Sequence, residues 1–283
     1  MTSELFDLAA QRQARGEPFA LATVVRTVSV TAAKAGAKAL IGTDGSISEG
    51  WIGGGCARAA VLKAARQSIS DGKSRLVSIQ PKDLLAELGV QPGEDRSGVL
   101  YANNACPSQG TMDIFVEPVL PRPTLLVMGA SPVAVALAGM ADAMGFSVTV
   151  AAAKDDLGKF SGVERKIEGF DLPRLNAREI YVVVSTQGAG DRAALQAACA
   201  FEARHVSFVG SRRKAAALRD ELAEIGAPRA RLDAVKAPAG LDIGAVTSDE
   251  IALSVIAEIV ALRRSGRLPA AAAADSGERR AAS

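Results

Sequence analysis

Hydrophobic and polar positions fall into two regimes that change near residue 120. Leu5, Leu8 and Ala9 recur at helical spacing and predict a first helix over 3–15, ended by Gly16. The Val-, Leu- and Thr-rich run from Phe19 to Val28 predicts a buried strand, followed by a small-residue loop. A second strand over 37–43 returns through Asp44-Gly45, a strong hairpin turn, into a strand over 46–49. Ala57, Ala60, Val61, Ala64 and Ala65 then repeat at helical spacing, giving a helix over 57–70 that stops at Asp71-Gly72. A strand over 75–79, a short helix over 82–88, a Gly- and Pro-bearing loop over 89–98, an extended run over 99–105 and a strand over 112–119 complete this half.

Pro118, Pro121 and Pro123 around Arg122 read as a stiff interdomain linker, so the first domain is expected to close near 120. Beyond it the strands become continuous apolar runs. Thr124 to Met128, the turn Gly129-Ala130-Ser131-Pro132, a helix over 133–144 and a strand over 146–151 form a βαβ unit. Further strands over 179–184 and 204–209 each lead into a turn and a helix, while 161–178 shows no regular pattern. A last helix over 248–264 is capped by Thr247 or Ser248, with Glu250 in its first turn. The expected fold class is α/β: an amino-terminal α/β domain over 1–120, a Rossmann-like doubly wound parallel-sheet domain over 121–266, and a disordered Ala-rich tail over 267–283.

Composition narrows the function. The chain of 283 residues, 48% hydrophobic, suits two modest cored domains. A net charge of +2, from 33 basic and 31 acidic residues without a basic stripe, gives no footprint for nucleic acid. An odd count of 3 cysteines argues against a secreted disulfide framework. The segment Met1 to Asp7 lacks a basic region followed by an apolar run, and the apolar stretches are too interrupted to span a membrane. A cytoplasmic protein is expected. The single histidine, His205, argues against a histidine-built metal site or triad, and its place at a strand start reads as structural or surface rather than catalytic.

The candidate chemistry starts at Gly50-Trp51-Ile52-Gly53-Gly54-Gly55-Cys56. Bare backbone running into a helix start offers N–H groups and the positive dipole end to an anion, and the same field favours a thiolate at Cys56. The competing reading is a glycine turn needed only for close packing. Cys106-Pro107-Ser108-Gln109-Gly110 forms a second cysteine loop, whose cysteine also suits a small buried position; Cys199 lies in an apolar helix and reads as core. Gly129, Ser131 and Ala134 follow a dinucleotide fingerprint only in outline. The strand ending at Val150 runs into Ala151-Ala152-Ala153-Lys154, with Asp155 and Asp156 arriving late for the acidic residue that takes ribose hydroxyls, while a Lys in that region suits a 2′-phosphate. Ser185-Thr186-Gln187-Gly188 and Gly210-Ser211-Arg212-Arg213-Lys214 lie at carboxyl ends of expected parallel strands, where such sheets bind ligands. The second reads equally as a solvated helix face.

These motifs coincide in order with a known family. Lys34-Ala35-Gly36-Ala37-Lys38, Gly53 to Cys56, Cys106 to Gly110, Asp113-Ile114-Phe115-Val116-Glu117-Pro118, Gly129 to Ala134, Ser185 to Gly188, Gly210 to Lys214 and Lys236 to Gly244 together resemble the XdhC/CoxI family. Its members are accessory factors for molybdenum hydroxylases such as xanthine dehydrogenase and carbon monoxide dehydrogenase. The sequence departs from many relatives at Ala32-Ala33-Lys34, where Pro-Arg is usual, and at Arg58, where a glutamate follows the cysteine. The Trp-Ile-Gly-Gly-Gly-Cys form is similar to the carbon monoxide dehydrogenase-associated branch.

The resemblance implies a non-catalytic chaperone. It would bind the molybdenum cofactor, as molybdopterin or its dinucleotide form, protect it while a cysteine desulfurase installs the sulfido ligand, and assist insertion into a client molybdenum hydroxylase. It implies an XdhC/CoxI amino-terminal domain, a Rossmann-like carboxy-terminal domain and a homodimer. Cofactor-binding residues would be Lys34, Lys38, Gly53, Gly54, Gly55, Cys56, Cys106, Ser108, Gln109, Gly110, Gly129, Ser131, Gln187, Gly188, Ser211, Arg212 and Arg213. No direct metal ligand is expected, although Cys56 suits contact with the metal through the cofactor or carriage of sulfur. The alternatives are an NAD(P)-dependent oxidoreductase and a cofactor-free assembly adaptor.

Overall fold

A computed structural model describes residues 2–29, 31–105, 109–175 and 177–265. Cys106, Ser108 and the expected tail over 267–283 lie outside the described residues. The chain divides into two compact units, Met1–Pro121 and Arg122–Ser283.

The first unit contains α1 (Thr2–Ala14), β1 (Phe19–Val28), β2 (Lys38–Gly42), β3 (Ile47–Gly50), α2 (Gly55–Asp71), β4 (Arg75–Gln80), α3 (Lys82–Glu87), β5 (Asp95–Arg96), β6 (Val99–Asn103) and β7 (Thr111–Val119). Its sheet has the order β3-β2-β1-β7-β4-β6-β5. β4 and β6 run parallel; the other neighbouring pairs are antiparallel. α2 lays Ala57, Val61, Ala64, Ala65 and Ile69 on one sheet face, against Ala22, Val24, Val77, Ile79, Ile114 and Val116. Alanine facing alanine lets helix and sheet approach closely, which explains a helix stripe built largely of small residues. On the opposite face, α1 covers one end through Leu5, packed with Phe19 and Leu40.

Two expectations need correction here. Pro118 is not linker but a residue of β7, opposite Ala20 on β1. Its missing N–H is tolerated because β4 pairs with β7 only as far as Val116, so this stretch of β7 has a partner on one side. The loop expected over 89–98 contains the two-residue strand β5, too short to leave a periodic signal.

The second unit contains β8 (Thr124–Met128), α4 (Pro132–Ala143), β9 (Ser147–Ala152), a 3-10 turn (Lys154–Lys159), β10 (Arg165–Glu168), β11 (Ile180–Val184), α5 (Asp191–Ala200), β12 (His205–Phe208), α6 (Arg212–Glu224), α7 (Arg229–Asp233) and α8 (Ser248–Ser265). The order β10-β9-β8-β11-β12 is parallel throughout. The chain winds outward from the central β8 in one direction and then in the other, which is the Rossmann arrangement. α4 and α8 cover one face, meeting Leu125, Val127, Val148 and Val183, while α5 and α6 cover the other over Leu126, Val182 and Val184. Burial on both faces is why the central strands read as unbroken apolar runs. β10 lies within the stretch that showed no pattern. Three of its four residues, Arg165, Lys166 and Glu168, are exposed on an edge strand, so apolar alternation is missing there.

Candidate functional site

The glycine–cysteine turn is fastened at its entry. Trp51 donates its backbone N–H to the Lys38 carbonyl at 2.8 Å, and Ile52 is fully buried in the core under α2. Gly53 adopts φ +107°, and a Cβ there would lie 3.3 Å from Met112 Cε. Gly54 is the N-cap of α2 without a side-chain cap, and the first helical turn carries no acidic residue. Gly55 has φ +51°, and a Cβ placed on it would meet nothing within 4 Å among the described residues. The helix start is therefore left without a side chain of its own to take its first N–H groups. Cys56 is the second residue of α2.

Gln109 and Gly110, the described end of the second cysteine motif, lead into the strand beside the turn. Asn104 Nδ2 donates to the Gly110 carbonyl at 2.6 Å, and exposed Gln109 holds φ +46°. Gly110 leads straight into β7, whose second residue, Met112, borders Gly53. Gln109–Gly110 and Gly53–Gly55 thus converge at the start of β7. Lys34 is exposed on a loop closed by an N–H bond from Ala37 to its carbonyl, 3.0 Å. Lys38 is not directed to the turn: its neighbour Ala39 enters the core under α2, so Lys38 stands on the other sheet face, where Nζ donates to Thr23 Oγ1 at 3.0 Å.

That other face carries a network the sequence did not single out. Arg26 Nε donates to Asp113 Oδ2 at 2.7 Å, Ser78 Oγ donates to Asp113 Oδ1 at 2.6 Å, and Gln80 Nε2 donates to Ser78 Oγ at 2.9 Å. Only the pairing of β1, β7 and β4 aligns these residues, because Asp113 stands opposite both Arg26 and Ser78.

In the second unit, Gly129 and Ser131 follow β8, and Ser185 to Gly188 follow β11, at the switch point of the sheet. Gly129 has φ +105°, and a Cβ there would stand 2.5 Å from the Ser185 carbonyl oxygen. Its glycine is required by the neighbouring turn. Ser131 Oγ and Ser185 Oγ are 2.6 Å apart, and Ser131 caps α4 by accepting the Ala134 N–H at 3.1 Å. Pro132 has no N–H, and the Ser131 N–H goes to the Ser185 carbonyl at 3.3 Å. Most donors that would hold a pyrophosphate are thereby engaged.

Asp191 organises the neighbouring turn. It accepts from the Thr186 hydroxyl, from the Gly188 N–H at 3.1 Å and from the Lys214 ammonium. Burial raises its pKa, but the Lys214, Thr186 and Gly188 donors outweigh it and hold the carboxyl below its ordinary range. Lys214, the innermost cation of its motif, is engaged internally. Ser211 caps α6 through the Lys214 N–H at 3.2 Å, leaving Arg212 and Arg213 exposed with Gln187 and Gly188.

His205 is structural. Its Nε2 lies 2.9 Å from Glu258 Oε1, and Lys236 Nζ donates to the other carboxylate oxygen and to the Gly240 carbonyl at 2.7 Å. Burial and then the Lys236 charge push the His205 pKa down to about 4. Cys199 is buried, and burial raises its thiol pKa. No group of three or more metal-ligating side chains occurs among the described residues.

A family model described as the XdhC Rossmann domain matches residues 125–259, and one described as the XdhC and CoxI family matches 12–80. The chain belongs to the XdhC and CoxI family. The XdhC/CoxI match runs from α1 through β4 and includes the glycine–cysteine turn; the XdhC Rossmann match runs from β8 into α8. A curated relative, the uncharacterized protein YqeB of Escherichia coli (strain K12), is 29% identical over 267 residues, 92% of this chain and 46% of that protein. The chain thus spans about half the length of that relative. A solved structure described as a xanthine dehydrogenase from Bacillus halodurans covers 94% of this chain and 97% of its own, at 19% identity and a TM-score of 0.45. No helix among the described residues is long and apolar enough to cross a membrane.

Proposed function

We propose that this XdhC/CoxI protein is an accessory factor for a molybdenum hydroxylase, which holds the molybdenum cofactor at the glycine–cysteine turn and passes it to the client. The observation carrying this reading is the uncapped start of α2, with Gly54 as N-cap, no acidic residue in the first turn and open space over Gly55. Those features fit the phosphate of a molybdopterin: an anion meets the positive helix end and N–H groups that no N-cap side chain takes, without an acidic residue in the first turn. Gln109 and Gly110 border the same turn, and Lys34 is an exposed cation within the same unit. The cofactor would supply the metal and its sulfido ligand; the chain would bind its anionic end, and Cys56 would face the metal or the sulfur. Cysteine desulfurase as sulfur donor and a homodimeric state belong to the same proposal.

The Rossmann order of the second unit favours a nucleotide as the second reading, but the sealed contact of Gly129 with Ser185 weighs against a nicotinamide dinucleotide, as does the end of β9, where Asp155 and Asp156 follow only in the 3-10 turn. The test is the molybdopterin content of protein purified anoxically from a cofactor-producing host, with any co-purifying hydroxylase identified alongside. Bound molybdopterin is expected. A cofactor-free preparation that also fails to bind added cofactor overturns the reading, and a client recovered without cofactor favours an adaptor.

A further inference from the structure

We propose that the sheet face opposite α2, centred on Arg26 and Phe115, docks a segment of the client hydroxylase that presents a carboxylate beside aliphatic side chains. The inference rests on the accessory reading above. Alternation along β1 and β7 sends Val24, Ile114 and Val116 under α2 and leaves Thr23, Asp113 and Phe115 on the other face. α1 covers only the Phe19–Leu40 end of that face. Beyond it Val25, Val28 and Phe115 are 50%, 51% and 38% exposed, in a strand pair whose other side is fully packed.

Amid these apolar side chains stands Arg26, its side chain 62% exposed while that of its partner Asp113 is 12% exposed. The bulge between Val24 and Arg26 brings the arginine opposite Asp113. Asp113 is fixed by Ser78, and Ser78 by Gln80, all of them buried. An exposed ion pair contributes little stability, so three buried polar groups behind one surface guanidinium are not explained by stability. What they yield is orientation. The hydrogen bond to Asp113 uses Nε and leaves the Nη groups without a partner among the described residues. A guanidinium held in advance costs less ordering on binding, and an arginine beside an aromatic and aliphatic side chains is the usual centre of a protein interface.

The charges choose the partner's chemistry. Asp113 is already paired, Lys38 adds a cation bonded to Thr23 on the same face, and Glu117 lies toward the α1-covered end, opposite Leu21. A carboxylate is the complementary group at Arg26. The glycine–cysteine turn lies across the sheet from this face: Met112, which borders Gly53, and its partner Thr27 are on the α2 side.

The test measures binding of a purified apo molybdenum hydroxylase from the same host to the full chain and to Arg26→Gln, Phe115→Ser and a control, Leu88→Ser, exposed elsewhere. Phe115→Ser leaves the Arg26–Asp113 pair intact, which guards against a folding defect. At least tenfold weaker binding is expected for Arg26→Gln and Phe115→Ser, with Leu88→Ser unchanged and molybdopterin content and molecular mass retained in all. Three results overturn the inference: unchanged binding in both face variants, no binding of the apoenzyme by the unsubstituted protein, or a halved mass in the face variants, which makes the face a self-interface. Molybdopterin content judges the cofactor reading separately.

Discussion

At the scale of single residues, glycines that look alike in the sequence do different work. Gly129 has a positive φ and its missing Cβ is the space occupied by the Ser185 carbonyl. Gly129→Ala is expected to cost at least about 3 kcal/mol, because backbone has to move, and thermal melting should show the loss. Gly55 has a positive φ but faces open space, so Gly55→Ala should cost only about 1–2 kcal/mol while weakening retention of molybdopterin. Equal stability losses at both positions would remove the distinction between a packing glycine and a binding one. Cys56→Ala should impair client activation with little change in melting, and unchanged activation would demote the cysteine. His205 makes a pH prediction. Its folded pKa of about 4 lies below the ordinary 6.5, so the unfolded chain takes up the proton first. Its contribution to stability is full above 6.5 and is lost as pH falls towards 4. Denaturant titrations across that window should show the decline, and His205→Gln should flatten it.

At the scale of elements, caps and pairing fix what periodicity leaves loose. α8 starts in a capping box: Thr247 Oγ1 accepts the Glu250 N–H at 3.3 Å, and the Glu250 carboxylate accepts the N–H groups of Val246 and Thr247 at 2.8 Å each. These bonds, the backbone donors first, hold the Glu250 pKa below its ordinary value. Thr247→Ala should destabilise the second unit by about 1 kcal/mol, read as a lower denaturant midpoint at unchanged slope. The helix boundaries were legible because helix signals are local: the alanine stripe of α2 and Gly72, its left-handed C-cap, are both visible in order. β10 was not legible, because an edge strand with three exposed polar residues is defined by its pairing with β9.

At the scale of the whole molecule, the two units carry different logics. The first pairs an antiparallel-dominated sheet with one close-packed helix and brings two loops to the start of β7. The second is a Rossmann sheet whose switch point is stitched shut by Ser131 and Ser185. Nicotinamide dinucleotides are therefore expected not to bind tightly. Saturable binding of NAD(H) or NADP(H) in the micromolar range, measured by calorimetry, would restore the oxidoreductase reading.

The sequence by itself determined the helices and central strands but not β5 and β10, together with the α/β class and the winding of the second unit, because apolar period, glycine stops and turn dipeptides are local properties of the chain. It also exposed the glycine–cysteine turn, since three consecutive glycines before a helix are visible without coordinates. Tertiary structure alone decided what surrounds that turn. Met112 joins it to Gln109–Gly110, Lys38 is carried to the opposite face by strand alternation, and Lys214 is drawn to Asp191 and away from a ligand. The alignment of Arg26, Asp113 and Ser78 also belongs to the tertiary structure, for their separations of 87 and 35 positions become contact only when three strands pair in register. Register is a long-range property, and no local pattern encodes it.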